Sequence, residues 1–114
     1  MPERADYGLE LLLSLNGHEF EFTDGHVVKY RVRKLPASRN RPGGIKYSLT
    51  LHDLGGKRIY GIDNAHKVRG RTEFDNRHLY EGNAPVAYHY RDPVVLLEDF
   101  LREVEQVLKQ RAKL

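Results

Sequence analysis

Apolar and polar residues alternate along much of the first half of the chain, which is the pattern of strands with one buried face. Val28, Tyr30 and Val32 alternate with basic residues, and Ile45–Asp53 repeats this alternation. Leu9–Leu15 is rich in leucine and is interpreted as the first strand. Further extended segments are predicted at His18–Thr23, Lys57–Asp63, His78–Tyr80 and Val86–Tyr90.

Short glycine-containing pairs separate these segments. Asn16-Gly17 and Asp24-Gly25 are typical of two-residue hairpin turns, and Gly55-Gly56 marks a third turn. Residues 36–44 combine Pro, Gly, Ser, Asn and Arg and are predicted to form a loop. The succession of strands and turns favours an antiparallel sheet of about five to six strands, spanning residues 8–90.

The last part of the chain changes to helical periodicity. Asp92 and Pro93 are typical of an N-cap and a first helical residue, and the helix is predicted to run from about Pro93 to Gln110. Its apolar stripe is Leu97, Phe100, Leu101, Val104, Val107 and Leu108. We expect this stripe to cover the sheet residues Tyr30, Val32, Tyr47, Leu49 and Leu51. The sequence therefore predicts an α+β fold, with residues 1–114 forming a single domain.

Composition narrows the classes of function. At 114 residues, the chain has the length of one domain with its own core. It contains no cysteine, which excludes disulfides, Cys-ligated metals and thiol nucleophiles. No apolar run is long enough to span a membrane, and no signal peptide pattern opens the chain. We expect a cytoplasmic location.

Charge is distributed unevenly. Residues 25–80 carry thirteen Lys and Arg against four acids, whereas the remaining chain is net acidic. If the strands form a meander, Lys29, Arg31, Arg33, Lys46 and His52 share one polar sheet face. Such a face suits phosphate groups and indicates a polyanion or an acidic protein as partner. An ordinary solvated strand face is the alternative.

Reactive side chains concentrate at and after the end of one predicted strand. Asp63, His66, Arg77 and His78 are the candidate catalytic residues. Two imidazoles with nearby cations are sufficient for metal-independent RNA cleavage: one removes the 2′-OH proton, the other protonates the departing 5′ oxygen, and a cation stabilises the phosphorane. The alternative is that these histidines only cap turns or pack. The chain has no phosphate-binding glycine motif and no compact metal-ligand motif, so no cofactor or metal is expected.

Several segments together resemble a known family. These are 44–51, the Gly55-Gly56 turn, 60–66, 75–78 and the leucine-rich terminal helix. They resemble the TumE family, proposed toxins of prokaryotic toxin–antitoxin pairs, over roughly residues 9–107. The family's most specific positions correspond to Lys46, Tyr47, Asp63, Asn64, Arg77 and His78. Family members often carry a histidine where this chain has Asn76, which leaves His66 as the second imidazole.

The resemblance implies a toxin that is neutralised by a cognate antitoxin. Combined with the basic face, it predicts action on RNA or on RNA-bound machinery, with endoribonuclease activity as one form of that action. The alternative is a non-catalytic nucleic-acid-binding or protein-interaction module. A homodimer is compatible with either interpretation.

Overall fold

The computed structural model describes residues 4–39, 41–64, 75–79 and 84–112. Two helices and six strands follow one another in these ranges. In chain order they are α1 (Arg4–Ser14), β1 (Glu19–Glu21), β2 (Val27–Lys34), β3 (Ile45–His52), β4 (Arg58–Asp63), β5 (Asn76–His78), β6 (Val86–Ala87) and α2 (Pro93–Ala112).

The six strands form one antiparallel meander in the order β1-β2-β3-β4-β5-β6. Two of its tight turns are built by glycines and aspartates together. Gly25 and Gly56 adopt φ angles of 93° and 87°, which favour glycine. The carboxylates of Asp24 and Asp53 accept hydrogen bonds from backbone N–H groups within these turns. The α+β class and the antiparallel meander are therefore confirmed.

One face of the sheet carries the core. Phe100 of α2 lies fully buried against the rings of Tyr30 and Tyr60, with ring centroids 5.9 and 6.1 Å apart. Leu12 of α1 and Leu96 of α2 are also fully buried in this cluster. The two helices cover the same face, and neither is long and apolar enough to cross a membrane.

The N-terminal prediction is wrong in secondary structure. Leu9–Leu15 is not a strand, because Arg4–Ser14 forms helix α1. Helical geometry buries Gly8 and Leu12, one turn apart, and the exposed Leu11 turns away from the core. Gly8 permits a close helix contact, since a Cβ there would lie 2.5 Å from Val94 Cγ2.

Asn16-Gly17 accordingly joins α1 to β1 and is not a hairpin between two strands. Gly17 has a φ of 82°, and the Asn16 side chain accepts a hydrogen bond of 2.9 Å from the Val32 N–H. The Asn16 side chain thus satisfies a backbone donor on β2, beyond the short strand β1. The sheet therefore begins at β1 and not near residue 8.

The C-terminal helix is confirmed, with one difference in its buried stripe. The Asp92 carboxylate caps the helix by accepting the Val95 N–H at 2.9 Å. Leu97, Phe100 and Val104 are buried as expected, but Leu101 is 48% exposed. At 100° per residue, Leu101 lies at the margin of the stripe, where the three-residue β1 does not cover it.

Truncation of the central aromatic residue should test this packing. Phe100→Ala should lower the free energy of unfolding by about 3–5 kcal/mol, because it leaves a cavity between the helices and the sheet. Leu54→Ala, at a side chain 71% exposed, should change stability by no more than about 0.5 kcal/mol. Chemical denaturation of both variants measures the difference, and a loss for Phe100→Ala equal to that of the control would contradict the assigned core.

Candidate nucleic-acid interface and histidine–aspartate pair

The register of β2 with β3 brings the predicted basic residues together. Arg31 pairs with Ser48 and Arg33 pairs with Lys46, so all four side chains leave the sheet on the face opposite the helices. Lys29 lies on the same face, opposite Thr50. We call this side of the sheet the polar face.

Three of these cations surround a shallow cavity. Arg31, Arg33 and Lys46 contribute to its wall, and its volume is about 250 Å³. The other lining residues are Asn16, Val32, Tyr47 and Ser48. Within the described ranges, none of these three cations forms an ion pair, whereas Lys29 lies 3.8 Å from the Glu19 carboxylate. The cavity is therefore the part of the polar face best suited to an anionic group.

The polar face continues across β4 and β5 to the predicted catalytic residues. Ser48 pairs with Asp63, and Gly61 pairs with His78. Because paired residues in antiparallel strands project to the same side, Asp63 and His78 share the face of Arg31 and Lys46. Gly61 has no side chain, which leaves the space above it open to the imidazole.

Asp63 and His78 are in direct contact. His78 Nε2 lies 3.0 Å from Asp63 Oδ2, and the two side chains are 20% and 14% exposed. A carboxylate at this distance orients the imidazole. The pair can therefore exchange a proton with a bound group while its position is held by two strands.

Arg77, another predicted catalytic residue, does not join this pair. Arg77 projects to the helix face, where its guanidinium lies 3.4 Å from Glu103 and 5.4 Å from the centroid of the Tyr88 ring. Alternation along β5 separates it from His78. His66 lies outside the described residues.

His52 lies on the polar face but is enclosed by its own strand and turn. Its Nε2 is 2.9 Å from Thr50 Oγ1, and its Nδ1 is 3.3 Å from the Gly56 carbonyl oxygen. Burial lowers the pKa of His52, and the nearby Lys29 and Arg58 lower it further. These contacts favour a neutral imidazole with a structural role. His52 is therefore excluded from the polar-face residues that would bind phosphate.

Asn64 fixes the end of β4 immediately after Asp63. Its side chain accepts the Tyr47 N–H at 2.8 Å and donates to the Ile45 carbonyl at 2.9 Å. The Arg41 guanidinium donates two hydrogen bonds, of 3.2 and 2.9 Å, to the Asn64 carbonyl oxygen. Asn64 therefore anchors the chain beside the candidate site. The family resemblance marked this position, but nothing in the local sequence revealed its role.

A second carboxylate lies close to the pair. Asp75 accepts a hydrogen bond of 2.5 Å from the Tyr47 hydroxyl. Burial raises the pKa of Asp75 and the neighbouring Asp63 raises it further, whereas Tyr47 and Arg41 oppose the shift. Burial, and then the Asp75 charge, also raise the pKa of Tyr47, which therefore remains a neutral donor. This contact fastens the start of β5 to β3.

Comparison with known families assigns the chain to one of them. Residues 7–108 match the family described as Toxin TumE, and this range covers most of the chain. Comparisons with curated proteins and with solved structures give no significant match. Since the match includes β1–β6 and nearly all of α2, the chain belongs to the TumE toxin family.

Proposed function

We propose that this toxin acts on RNA, which it binds across the polar face and cleaves with His78 as the proton-transferring group. The observation that supports the proposal is the sharing of one sheet face by the basic cavity and the His78–Asp63 pair. Family membership supports the toxin class but leaves the target open.

The spacing of the strands suits a single-stranded substrate. Neighbouring strands lie roughly 4.8 Å apart, so Arg31 on β2 and Asp63 on β4 are separated by about 10 Å. A few consecutive nucleotides can therefore place one phosphate over the cavity and another beside His78. The cations position the backbone, and the imidazole acts on the bond held above β4 and β5.

The proposed reaction begins with proton removal from a ribose 2′-OH by His78. The resulting oxygen attacks the adjacent phosphorus and forms a 2′,3′-cyclic phosphate, while the bond to the 5′ oxygen of the next nucleotide breaks. We assign proton transfer to His78 Nδ1, because Asp63 contacts Nε2. The departing 5′ oxygen takes a proton from a second acid, for which the sequence offers His66.

The first test concerns binding to the polar face. Arg31→Ala should weaken binding of single-stranded RNA and reduce the slope of log affinity against log salt by about one unit, because one phosphate contact is lost. Arg102→Ala is the matched control, since Arg102 is on the other side of the sheet and pairs with Asp99 at 2.7 Å. Fluorescence anisotropy over a salt series measures both, and equal slopes for all three proteins would remove Arg31 from the site.

The second test concerns the histidine. His78→Ala should reduce RNA cleavage roughly a hundredfold or more and abolish growth arrest, while RNA binding is retained. His89→Ala replaces an exposed histidine outside the site and should leave both activities unchanged. Thermal melting establishes that the variants are folded. A folded His78→Ala protein that still arrests growth would contradict the assignment.

The Asp63→Asn variant separates a role in proton transfer from simple packing. If Asp63 holds the His78 imidazole in position for proton transfer, Asp63→Asn should lower RNA cleavage at least about tenfold over the whole pH range, while RNA affinity and melting temperature stay at the wild-type values. Cleavage at the wild-type rate would contradict that role. Wild-type protein that binds RNA in a salt-dependent manner without cleaving it would favour the non-catalytic binding module instead.

A further inference from the structure

A second surface lies on the helix side of the sheet, away from the polar face. Two adjoining cavities of about 530 and 480 Å³ follow the line where β1 and β2 meet the helices, and both are lined by Phe22 and Leu101. The remaining apolar lining residues are Leu11, Leu15, Phe20, Val28, Tyr30, Val94, Leu97, Val104, Leu108 and Ala112. We call this surface the apolar groove.

The apolar groove exposes large side chains that belong to one continuous patch. Leu11 of α1, Phe20 of β1 and Leu101 of α2 are each about half exposed, at 53%, 49% and 48%. Single exposed leucines are ordinary, but a contiguous patch along a groove marks an interaction surface. A partner that covered these side chains would extend the core already formed by Tyr30 and Phe100.

The apolar groove is bordered by an open strand edge. Within the described ranges, β1 is hydrogen-bonded to β2 alone, so its outer edge presents backbone N–H and C=O groups. Phe20 projects to the groove side, whereas Glu19 and Glu21 project to the other. An extended segment that paired with this edge could place alternate side chains in the groove.

Charges around the apolar groove favour a basic partner. Glu98 and Glu105 line it, and Glu19 and Glu21 lie on the bordering strand. Lys109 lies 3.1 Å from Glu105 and Lys29 lies 3.8 Å from Glu19, so two of these four carboxylates have a cation beside them and the charge around the groove remains negative overall. A partner segment that carried Lys or Arg between its apolar residues would therefore meet carboxylates.

The same charges argue against a second copy of this chain as the occupant. Symmetric antiparallel pairing of two β1 strands about Phe20 would place Glu19 of one copy opposite Glu21 of the other. Like charges directly opposite each other destabilise a strand pair. The apolar groove and the β1 edge are therefore better suited to a different protein than to a second copy of this chain.

We propose that the apolar groove and the β1 edge form the docking site of the antitoxin, which adds an extended segment of alternating apolar and basic residues to the sheet. Membership of a toxin family supplies the expectation of such a partner. The proposal goes beyond the proposed action on RNA and does not depend on it, because the docking site and the polar face are on opposite sides of the sheet.

The experiment is co-expression of the full chain with the protein encoded by each flanking gene, followed by purification and titration of the complex. Leu101→Glu should weaken the complex at least tenfold, because it puts a carboxylate in the apolar groove. Leu54→Glu is the matched control, since Leu54 is exposed but lies in a turn outside the groove, and it should leave affinity unchanged. Absence of a complex with either neighbour, or equal effects of the two variants, would overturn the proposal.

Two further measurements identify the mode of docking. Glu98→Lys should weaken the complex more than Glu98→Gln, and hydrogen exchange should slow at the amides of residues 19–21 in the complex. If the complex is instead lost in Arg31→Glu and unaffected by Leu101→Glu, the antitoxin binds the polar face and the proposal is wrong. The Leu101→Glu variant should bind RNA with the same affinity as the wild type. Failure of the RNA proposal would therefore not alter the expected effect of Leu101→Glu on the antitoxin complex.

Discussion

Because side chains alternate between the two faces of a strand, a single register decides both the stability and the surface chemistry of this sheet. The pairing of Val32 with Tyr47 places both under the helices, and the neighbouring pair of Arg33 with Lys46 then has to face the other way. A shift by one residue would bury cations beneath α2. The hydrophobic core thus selects the register, and the register in turn assembles the polar face.

Hydrogen bonds between core tyrosines and carboxylates stabilise the outer parts of this sheet and its helix. Three tyrosines of the core donate their hydroxyl protons to carboxylates, in the pairs Tyr47–Asp75, Tyr60–Glu103 and Tyr88–Asp99. Burial raises the pKa of all three phenols, so each remains a donor at physiological pH. The first two contacts attach the start of β5 and α2 to the central strands, and the third attaches the segment after β6 to α2. The position of His78 therefore depends on the same network as the packing of the helix.

Sequence periodicity correctly predicted the elements whose residue pattern is compatible with only one type of secondary structure. The alternation around Val28–Val32 and the capped stripe beginning at Asp92 are confirmed by β2 and α2. The leucines of Leu9–Leu15 fit either a buried strand or an amphipathic helix, and only the tertiary contact of Gly8 with α2 decides between them. Local pattern alone could not supply that contact.

The sequence identifies the residues of the candidate site but does not give their relative positions in space. Proximity of Asp63 and His78 was expected from their places at a strand end and after it. That they share a face with Arg31 follows from pairings across four strands, which no local pattern encodes. The opposite direction of Arg77 was predictable from strand alternation alone, because Arg77 and His78 are neighbours on β5. The apolar groove is not predictable from the helix alone for a related reason, since helical periodicity does not show how much of the stripe the three-residue strand β1 covers.

The two surfaces, although on opposite faces, are close together in the plane of the sheet. A strand added to β1 would lie two strand spacings, about 10 Å, from β2, which carries Lys29, Arg31 and Arg33. Part of a partner anchored there would extend past the edge of the polar face, and its basic residues would compete with Lys29 for the Glu19 carboxylate. Docking in the apolar groove would thereby restrict the approach of a long polyanion without occupying the His78–Asp63 pair. Neutralisation by obstruction at the sheet edge would require no change in the geometry of the His78–Asp63 pair. This agrees with the rigidity of the site, because the register of a packed sheet fixes the positions of its residues.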